Sequence, residues 1–497
     1  MESAEKGGNR ALMVQGTCSG AGKSLIVAGL ARILADEGVR VAPFKSQNMA
    51  LNSFITEEGA EIGRAQALQA EAARIRPHAL MNPILLKAQG EKGCQVILNG
   101  KVHGSMSARE YYAFKHEAWP VVCAAYEELR RRYDVILIEG AGSPAEINLA
   151  DDEIVNMRMA RQADCPVLLV GDIDRGGVFA SFFGTVGLLD GDAERIKGFV
   201  VNKFRGDLDI LAPGLRQIEE RTAVPVAGVV PWLRDLGLDE EDGLSLADFK
   251  PVLARSPLKA VVVRLHSISN FTDFAPLACE PDVDLVFSAS PRELLAADLL
   301  IVPGSKNTLA DMRFLWESGL AAAIREAAAR SKPVVGICGG YQMLGRTIAD
   351  PLLVEGTIPA IEGLGLLDIE TEMAGEKVTC QTEAETDLFG VRRTIRGFEI
   401  HMGRTSGETG LFACRRLPGG ETVRDGARRG MVWGTYLHGL FDNDAFRNDF
   451  LNGIRAAKGL PTREQPLAYG DLKEKRLDRW ADLLRRHLNL DFIRGLL

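Results

Sequence analysis

Short apolar runs alternate with longer stretches of helical spacing along both halves of the chain. In the first half these runs lie at 11–15, 39–44, 135–139, 166–171 and 196–202. In the second half they recur at 260–264, 299–303, 333–337 and 432–437. The runs are continuously apolar, as strands covered on both faces are, and this predicts parallel sheets with helices on each side. The pattern therefore predicts an α/β protein with two doubly wound domains.

The length of the chain, 497 residues, exceeds what one hydrophobic core usually serves. The two apolar patterns are separated by an acidic stretch that ends in polar residues and prolines, which is typical of a linker. After about residue 461, Leu, Arg and Asp recur at helical spacing and predict an amphipathic helix. We therefore expect a first domain at 1–235, a linker at 236–256, a second domain at 257–450 and a helical tail at 451–497.

The charge, hydropathy and cysteine content of the chain indicate which kinds of molecule it binds. The formal net charge of −8 gives no broad attraction to the phosphate backbone of nucleic acid. No apolar run reaches the 18 residues of a membrane span, and residues 1–10 lack the apolar centre of a secretory signal. The eight cysteines show no CxxC spacing, which argues against a zinc site or a disulfide framework. We expect a cytoplasmic protein that acts on small molecules, with no nucleic acid and no membrane as partner, and the oligomeric state stays open.

The first segment that carries chemistry follows the first apolar run. Gly16 to Ser24 reads GTCSGAGKS and leads into a helical stretch. In such a loop the backbone around Gly20 and Gly22 binds phosphate at a helix N-terminus, Lys23 reaches the terminal phosphates and the Ser24 hydroxyl binds Mg²⁺. The spacing from Gly16 to Gly22 is one residue longer than the strict pattern. The segment predicts an ATP site, and a glycine-rich turn that only packs a helix on a strand is the alternative.

A carboxylate ends the apolar run at 135–139 and precedes the small residues Gly140, Ala141 and Gly142. Ligands gather at the carboxyl ends of strands in open α/β sheets. We therefore expect Glu139 to be the second protein ligand of Mg²⁺. A carboxylate that caps a turn is the alternative.

A cysteine in the second half stands in the setting of a nucleophile. Cys338 follows the apolar run at 333–337 and precedes Gly339 and Gly340, which permit a sharp turn from strand to helix that exposes the side chain. The N–H groups of Gly304 and Gly339 would form an oxyanion hole. A buried core cysteine is the alternative.

A thiol nucleophile needs a base. His438 follows the apolar run at 432–437, so it can pair with Cys338 if the two strands are neighbours. A histidine buried in the core is the alternative.

The two sites resemble two known kinds of domain. Residues 336–345 with Gly304 and His438 look like a triad, or class I, glutamine amidotransferase domain, and the segments 16–24 and 139–142 resemble dethiobiotin synthetase-like amidoligases with a phosphate loop. Four further motifs stand between them: KSQNMALNS at 45–53, GDIDRGG at 171–177, NKFRGD at 202–207 and GFEIHMG at 397–403. The whole set is similar to the cobyric acid synthase family of the cobalamin pathway, over roughly residues 10 to 450.

This resemblance implies that L-glutamine supplies ammonia and that ATP, with Mg²⁺, drives amidation of a corrinoid. The acceptors would be four peripheral carboxylates (b, d, e and g) of adenosylcobyrinic acid a,c-diamide. Gln342 would bind glutamine, and Asn202 and Pro231 would lie beside adenine. The polar residues of the shared motifs that are candidates for substrate contacts are Gln47, Asn48, Asn52, Asp172, Asp174 and Arg175. Cobyrinic acid a,c-diamide synthase and a glutamine-sensing ATPase of the partition type are the alternatives.

One position departs from the pattern of the triad amidotransferases. Those enzymes have His-x-Glu, and here Leu440 stands where the glutamate is expected. Either Cys338 and His438 act as a dyad or a distant carboxylate such as Glu399 orients the histidine. We expect the dyad, because the cobyric acid and cobyrinic acid diamide synthases are similar in lacking that glutamate.

Overall fold

The computed structural model describes residues 11–89, 93–233, 236–238 and 257–497. Most of the predicted linker, from residue 239 to 256, lies outside the described residues. The elements before it are β1 (Ala11–Gly16), α1 (Lys23–Asp36), β2 (Val41–Phe44), β3 (Gln47–Met49), β4 (Ser53–Ile55), β5 (Glu61–Gly63), α2 (Arg64–Ala72), β6 (Ile84–Ala88), β7 (Cys94–Leu98), β8 (Lys101–Met106), α3 (Ala108–Arg132), β9 (Val135–Glu139), α4 (Met157–Ala163), β10 (Val167–Asp172), α5 (Val178–Leu188), β11 (Ile196–Phe204), α6 (Leu208–Thr222) and β12 (Val226–Pro231).

The elements after the linker are β13 (Leu258–Val263), α7 (Ala275–Ala278), β14 (Val283–Ser288), α8 (Pro291–Ala296), β15 (Leu299–Val302), α9 (Thr308–Glu317), α10 (Leu320–Ala329), β16 (Val334–Ile337), α11 (Gly339–Leu344), β17 (Thr347–Ala349), β18 (Ala360–Glu362), β19 (Ile369–Thr386), β20 (Arg393–Gly407), β21 (Phe412–Leu417), β22 (Thr422–Asp425), β23 (Ala427–Arg429), β24 (Val432–Thr435), α12 (Asp444–Ala457), α13 (Tyr469–His487) and α14 (Leu490–Gly495).

The first domain is built on a parallel sheet with the strand order β12-β11-β10-β1-β9-β2. Alternate residues of β1 enter two different cores. Leu12 and Val14 pack with α1 and α13 on one face, whereas Ala11 and Met13 pack with α3 and α4 on the other. Both faces of the sheet are therefore covered, and the predicted doubly wound fold is confirmed.

The second domain has its own sheet, with the strand order β14-β13-β15-β16-β24-β23. The first five strands are parallel, and only the edge strand β23 is antiparallel. Because β16 lies between β15 and β24, the residues that follow these three strands meet at one edge of the sheet. Gly304, Cys338 and His438 are those residues.

Three further sheets were not predicted from the sequence. One joins β3, β6, β7 and β8, and a two-stranded sheet pairs β4 with β5. The third has the order β18-β17-β19-β21-β22, with β20 paired to β19. Much of β19 alternates between buried and exposed residues, as an antiparallel strand with one solvated face does. A search for continuous apolar runs passes over such strands.

The predicted tail does not stand apart from the domains. α12 spans the expected boundary at 450, and α13 packs against α1 of the first domain. Leu477, Trp480 and Leu484 share a core with β1, and the indole N–H of Trp480 donates to the carbonyl of Leu25 at 2.6 Å. The last helices of the chain therefore complete the cover of the first sheet.

None of the helices in the described part of the chain is both long enough and apolar enough to span a bilayer.

Candidate functional site

The glycine-rich loop after β1 has the backbone geometry of a phosphate-binding loop. Gly20 and Gly22 have φ angles of 71° and 98°, left-handed values that glycine adopts without strain. A Cβ on Gly22 would lie 2.1 Å from Nδ2 of Asn202, so a larger residue does not fit. The buried Lys23 ammonium donates to the carbonyl of Gly142 at 3.3 Å. Lys23 thus ties the loop to the turn that follows β9.

Glu139 lies at the carboxyl end of β9 and is buried. One oxygen accepts from the Ser24 hydroxyl at 2.8 Å and from the Lys45 ammonium at 2.9 Å. The other accepts from Gln69 at 2.6 Å and from Gln66 at 3.3 Å. Burial disfavours the charged carboxylate, but Lys45, Gln69 and Ser24 outweigh burial and hold the pKa of Glu139 below its ordinary value. The group is therefore an anionic oxygen donor at neutral pH.

The oxygen atoms at this edge fit Mg²⁺. Oγ of Ser24 and Oε1 of Glu139 lie 2.8 Å apart, close to the separation of two adjacent ligands on an octahedral ion with metal–oxygen distances of about 2.0–2.1 Å. Nowhere in the described part of the chain do three or more His, Cys, Asp or Glu side chains form a metal cage. The two donors suit Mg²⁺ because that ion usually takes its remaining ligands from water and phosphate.

The residues predicted at adenine lie on the same edge of the sheet. Asn202 is in β11 and Pro231 ends the adjacent strand β12. Nδ2 of Asn202 donates to the carbonyl of Ala21 at 2.8 Å, so the side chain holds the phosphate loop. An adenine contact for either residue stays a prediction.

Asp172 is also linked to the phosphate loop. Its carboxylate accepts from Lys203 at 3.0 Å, and the same ammonium donates to the carbonyl of Gly20 at 2.8 Å. The backbone N–H of Asp174 donates to Asp172 at 2.9 Å and closes a turn. Arg175 is 53% exposed, with its Nε 3.5 Å from Asp172. These contacts give Asp172 a structural role, and substrate contacts by the three residues stay predictions.

The other predicted substrate residues differ in their surroundings. Gln47 accepts from the hydroxyl of a tyrosine on α3 at 2.5 Å. Asn48 is buried and donates to Gln66 at 2.9 Å, so it contacts a side chain that holds the nucleotide-site carboxylate. Asn52 accepts from the backbone N–H of Phe271, in the second domain, at 3.0 Å. Asn52 therefore lies where the two domains meet.

Cys338 occupies a strained turn between β16 and α11. Its φ of 52° and ψ of −108° are values that a non-glycine residue rarely adopts and that are typical of a nucleophile elbow. A Cβ on Gly340 would lie 1.9 Å from the carbonyl oxygen of Val302, and one on Gly336 would lie 2.7 Å from that of Gly340. The cysteine is 6% exposed, and its Sγ lies 3.6 Å from the carbonyl oxygen of Ile400. The glycines thus allow the close packing that the turn requires.

Two backbone amides lie beside this turn. Gly304 follows β15, which pairs with β16, and a Cβ on Gly339 would lie 2.8 Å from the backbone nitrogen of Ser305. Within the described residues neither Gly304 nor Gly339 donates its N–H to a protein acceptor. Free N–H groups on two touching loops are what an oxyanion hole needs. The assignment of these two amides stays a prediction.

The strands that carry Cys338 and His438 are neighbours, so the condition for pairing them is confirmed. β16 and β24 run parallel, with Ile337 beside Thr435. Nδ1 of His438 lies 2.6 Å from one oxygen of Asp273, and the other oxygen accepts from the backbone N–H of Gly439 at 3.0 Å. The ring is therefore held in one orientation.

The predicted dyad is wrong, because a carboxylate does hold His438. Asp273 lies in a short 3-10 helix (Phe271–Phe274) after β13, far in sequence from the position where a glutamate was expected. Leu440, at that position, is buried in the apolar core of the second domain. Because the Nδ1 proton is directed at Asp273, the Nε2 atom of His438 is the one that can exchange a proton with the thiol of Cys338. Cys338, His438 and Asp273 therefore have the arrangement expected of a Cys-His-Asp triad, and their catalytic roles stay predictions.

The pKa of His438 is consistent with its position between Asp273 and Cys338. Burial disfavours a charged imidazole, but Asp273 and Cys338 outweigh burial and raise the pKa of His438 to about 10. Nε2 of His438 is buried, and no described protein group forms a hydrogen bond of good geometry with it. The charged histidine thus faces Cys338, as the base of a thiol hydrolase does.

The alternative orienting residue, Glu399, serves other groups. Its carboxylate accepts from Arg416 at 2.7 Å and lies 3.1 Å from Nε2 of His401. Burial disfavours its charge, but His401 and Arg416 lower the pKa of Glu399 to about 2. Glu399 therefore orients His401, and the proposal that it orients His438 is wrong.

Gln342 belongs to a polar layer on α11 next to the thiol. Its Nε2 donates to the hydroxyl of Tyr436 at 3.0 Å, and that hydroxyl also shares a hydrogen bond with Thr405 at 2.6 Å. The ring of Tyr436 stacks on that of His401, with centroids 3.8 Å apart. Binding of glutamine by Gln342 stays a prediction.

Sequence reasoning did not select four residues that complete the two sites. Lys45 stood in a quoted motif but received no role. Gln66 and Gln69 are three positions apart on α2 and reach the same carboxylate, a spacing that could have been noticed. For Asp273 the only signal was its place after a parallel strand.

Known families match both domains. Residues 12–246 match the CobQ/CobB/MinD/ParA nucleotide binding domain, and residues 259–446 match the CobB/CobQ-like glutamine amidotransferase domain.

Several relatives match the chain over its length. The chain is 46% identical over 486 residues to the cobyric acid synthase of Thermodesulfovibrio yellowstonii, with 97% of this chain and 98% of the relative covered. It is 49% identical over 497 residues to the cobyric acid synthases of Klebsiella pneumoniae subsp. pneumoniae and Salmonella heidelberg, with 97% of each chain covered. Because the identity extends through both domains and nearly the whole of each relative, this chain belongs to the cobyric acid synthase family.

Proposed function

We propose that the chain is a glutamine-hydrolysing, ATP-dependent carbon–nitrogen ligase that makes cobyric acid. Its acceptors are four peripheral carboxylates (b, d, e and g) of adenosylcobyrinic acid a,c-diamide. The observation that carries the proposal is that one chain holds residues arranged as a thiol triad together with a phosphate loop, and that 97% of this chain matches cobyric acid synthases. Because ATP is a cytoplasmic substrate, we infer that the reaction takes place in the cytoplasm.

The thiol site supplies ammonia from L-glutamine. Sγ of Cys338 attacks the carboxamide carbon, and the N–H groups of Gly304 and Gly339 bind the oxygen on which negative charge develops. His438 gives its Nε2 proton to the departing ammonia and then accepts one from the water that hydrolyses the thioester to glutamate. Asp273 keeps the imidazole in the orientation and tautomer that both steps need.

The phosphate-loop site activates the acceptor. A carboxylate oxygen is a poor leaving group, so transfer of the terminal phosphoryl group of ATP to the acceptor carboxylate forms an acyl phosphate that ammonia can displace. Lys23 stabilises the negative charge that develops on the transferred group. Ser24 and Glu139 would hold Mg²⁺, which would neutralise charge on the phosphates.

Both alternatives are less well supported. Cobyrinic acid a,c-diamide synthase would have the same two sites, but the matching relatives that cover the whole chain carry the name cobyric acid synthase. A glutamine-sensing ATPase would need neither a strained cysteine nor an oriented histidine, and both are present.

Mass spectrometry of the corrinoid product tests the proposal. The purified chain is incubated with ATP, Mg²⁺, glutamine and adenosylcobyrinic acid a,c-diamide. We expect four successive decreases of about one mass unit, because each exchange of a hydroxyl for an amino group changes the mass by that amount. An unchanged diamide, together with amidation of cobyrinic acid itself, would favour the diamide synthase instead.

A further inference from the structure

Three charged side chains are buried together where the two domains meet. Glu61, in β5 of the first domain, is 1% exposed and accepts from Lys87 of β6 at 2.8 Å. Its second oxygen accepts from Lys377 of β19, in the second domain. The side chains of Lys87 and Lys377 are 4% and 8% exposed. We name Glu61, Lys87 and Lys377 the interdomain charge cluster.

This cluster is a costly way to join two domains. Removal of an ion from water is unfavourable, and apolar side chains of similar volume often stabilise an interface as well or better. Burial lowers the pKa of Lys377, and Glu61 opposes that change. In Glu61 burial disfavours the charge, but Lys377 and Lys87 hold its pKa well below the usual range. Charged hydrogen bonds are directional, so the cluster favours one placement of the two domains over others.

On one side the cluster reaches the thiol site. Oε1 of Gln95, in β7, accepts from Lys377 at 3.4 Å and from Lys306 at 3.2 Å. Lys306 comes two residues after Gly304, whose N–H is assigned to the oxyanion hole. Lys377 also lies close enough to Cys338 for the thiol to affect the pKa of the lysine. A side chain of the first domain therefore braces the loop that carries Gly304.

On the other side the cluster leads to the nucleotide site. Glu61 begins β5, and β5 runs directly into α2. Gln66 and Gln69 of α2 donate to Glu139, the carboxylate assigned to Mg²⁺. One short strand and the first two turns of a helix thus connect the interdomain charge cluster to the phosphate-loop site.

We propose that Glu61, Lys87 and Lys377 are positioning residues that hold the thiol site in register with the phosphate-loop site, so that ammonia released at Cys338 reaches the acyl phosphate and does not escape to water. The inference rests on the proposed function. The interdomain charge cluster would determine how efficiently nitrogen passes from glutamine to the corrinoid. It would not be needed for glutamine hydrolysis alone or for acyl phosphate formation alone.

The variant Lys377→Met tests this role in the full chain. It removes the ion pair between the domains and leaves Glu61 paired with Lys87, so no carboxylate loses its only partner. With ATP, Mg²⁺, corrinoid and glutamine, glutamate and corrinoid amide are both counted. We expect about one glutamate per amide in the original chain and several-fold more in the variant, while amidation from ammonium chloride stays within about twofold.

Gln381→Leu is the matched control. Gln381 is on the same strand as Lys377 and donates to the carbonyl of Ile55 across the same interface, but it carries no charge. We expect its ratio of glutamate to amide to equal that of the original chain. An unchanged ratio in Lys377→Met, an equal rise in Gln381→Leu, or equal loss of amidation with both nitrogen donors would overturn the proposal. Failure of the original chain to amidate the corrinoid with either donor would count against the proposed function instead.

Discussion

At the scale of single residues, we expect Asp273 to control the chemistry of the thiol site. Its two oxygens bind Nδ1 of His438 and the N–H of Gly439, which fixes the ring and the proton on Nδ1. An asparagine there could donate to Nδ1 and would then select the opposite tautomer, with the proton on the nitrogen that must act as base. The carboxylate therefore controls the chemistry of Nε2 as well as its position.

We expect Asp273→Asn to lower the turnover number of glutamine hydrolysis by about 10³- to 10⁴-fold, because orienting carboxylates of triads have effects of that size. Glu399→Gln is the matched control, since Glu399 contacts His401 and Arg416, and its turnover should stay within about tenfold of the original. Steady-state glutaminase kinetics measure both variants. Near-normal turnover in Asp273→Asn would restore the dyad.

We expect the same pair of residues to make the stability of the fold depend on pH. Burial disfavours charge on His438, yet Asp273 and Cys338 raise its pKa to about 10, above the value of about 6.5 in an unfolded chain. A group that binds its proton more tightly when folded stabilises the fold fully below the unfolded pKa, and the effect is lost as the pH rises through the folded pKa. We expect the difference in thermal midpoint between the original chain and Asp273→Asn to shrink from about pH 6 to about pH 10. A constant difference over that range would show that the pair does not titrate in this way.

The residues that could be predicted are those in local motifs. Lys23, Ser24 and Cys338 stand in glycine-rich turns after strands, and the sequence around each is sufficient to indicate its role. Asp273 could not be found in this way, because it is 165 positions from His438 and its own neighbours form no motif. The pairing depends on which strands are adjacent, and strand order is a property of the whole sheet.

At the scale of elements, α13 has the least expected position. It packs against α1, the helix that begins at the phosphate loop, and Gly29 of α1 allows the close approach. A Cβ on Gly29 would lie 2.3 Å from Cδ1 of Leu484 and 2.8 Å from Nε1 of Trp480. The C-terminal helices therefore pack beside the phosphate loop, although the whole second domain separates them from that loop in sequence.

We expect Trp480→Ala to destabilise the first domain by about 3–5 kcal/mol, because it leaves a cavity under α1 and removes the donor to the Leu25 carbonyl. Arg494→Ala is the control. Its ion pair with Glu37 is largely exposed and screened by solvent, so its loss should leave the free energy of unfolding nearly unchanged. Urea unfolding followed by circular dichroism compares the two. Equal small losses would mean that α13 adds little to the first domain.

Strands were predicted correctly where they form continuous apolar runs. Continuous apolar runs identified the central strands of both parallel sheets, because such strands are covered on each face. They did not identify β19 and β20, where many exposed residues alternate with buried ones. They also gave no sign that α13 returns to the first domain, since an amphipathic helix does not specify which apolar surface it covers.

At the scale of the whole molecule, polar and charged side chains join the two domains. Asn52 and Asn270 each accept a backbone N–H from the opposite domain, and Glu61 binds Lys377, which is 316 positions away. Sequence motifs predicted both sites but not their mutual placement, because these contacts join separately folded sheets. We expect this interface to be what couples the chemistry of one domain to that of the other.

The most direct test asks whether the two sites divide the work as proposed. It measures how much amide Cys338→Ala forms when glutamine is the nitrogen source and when ammonium chloride is. Lys23→Ala is measured beside it as the matched variant at the other site. We expect Cys338→Ala to form no amide from glutamine but to keep its rate from ammonium within about threefold, because the thiol serves only ammonia release. Lys23→Ala should form no amide from either source while it still hydrolyses glutamine, since it blocks acyl phosphate formation. Loss of ammonium-supported synthesis in Cys338→Ala, or its persistence in Lys23→Ala, would contradict this division.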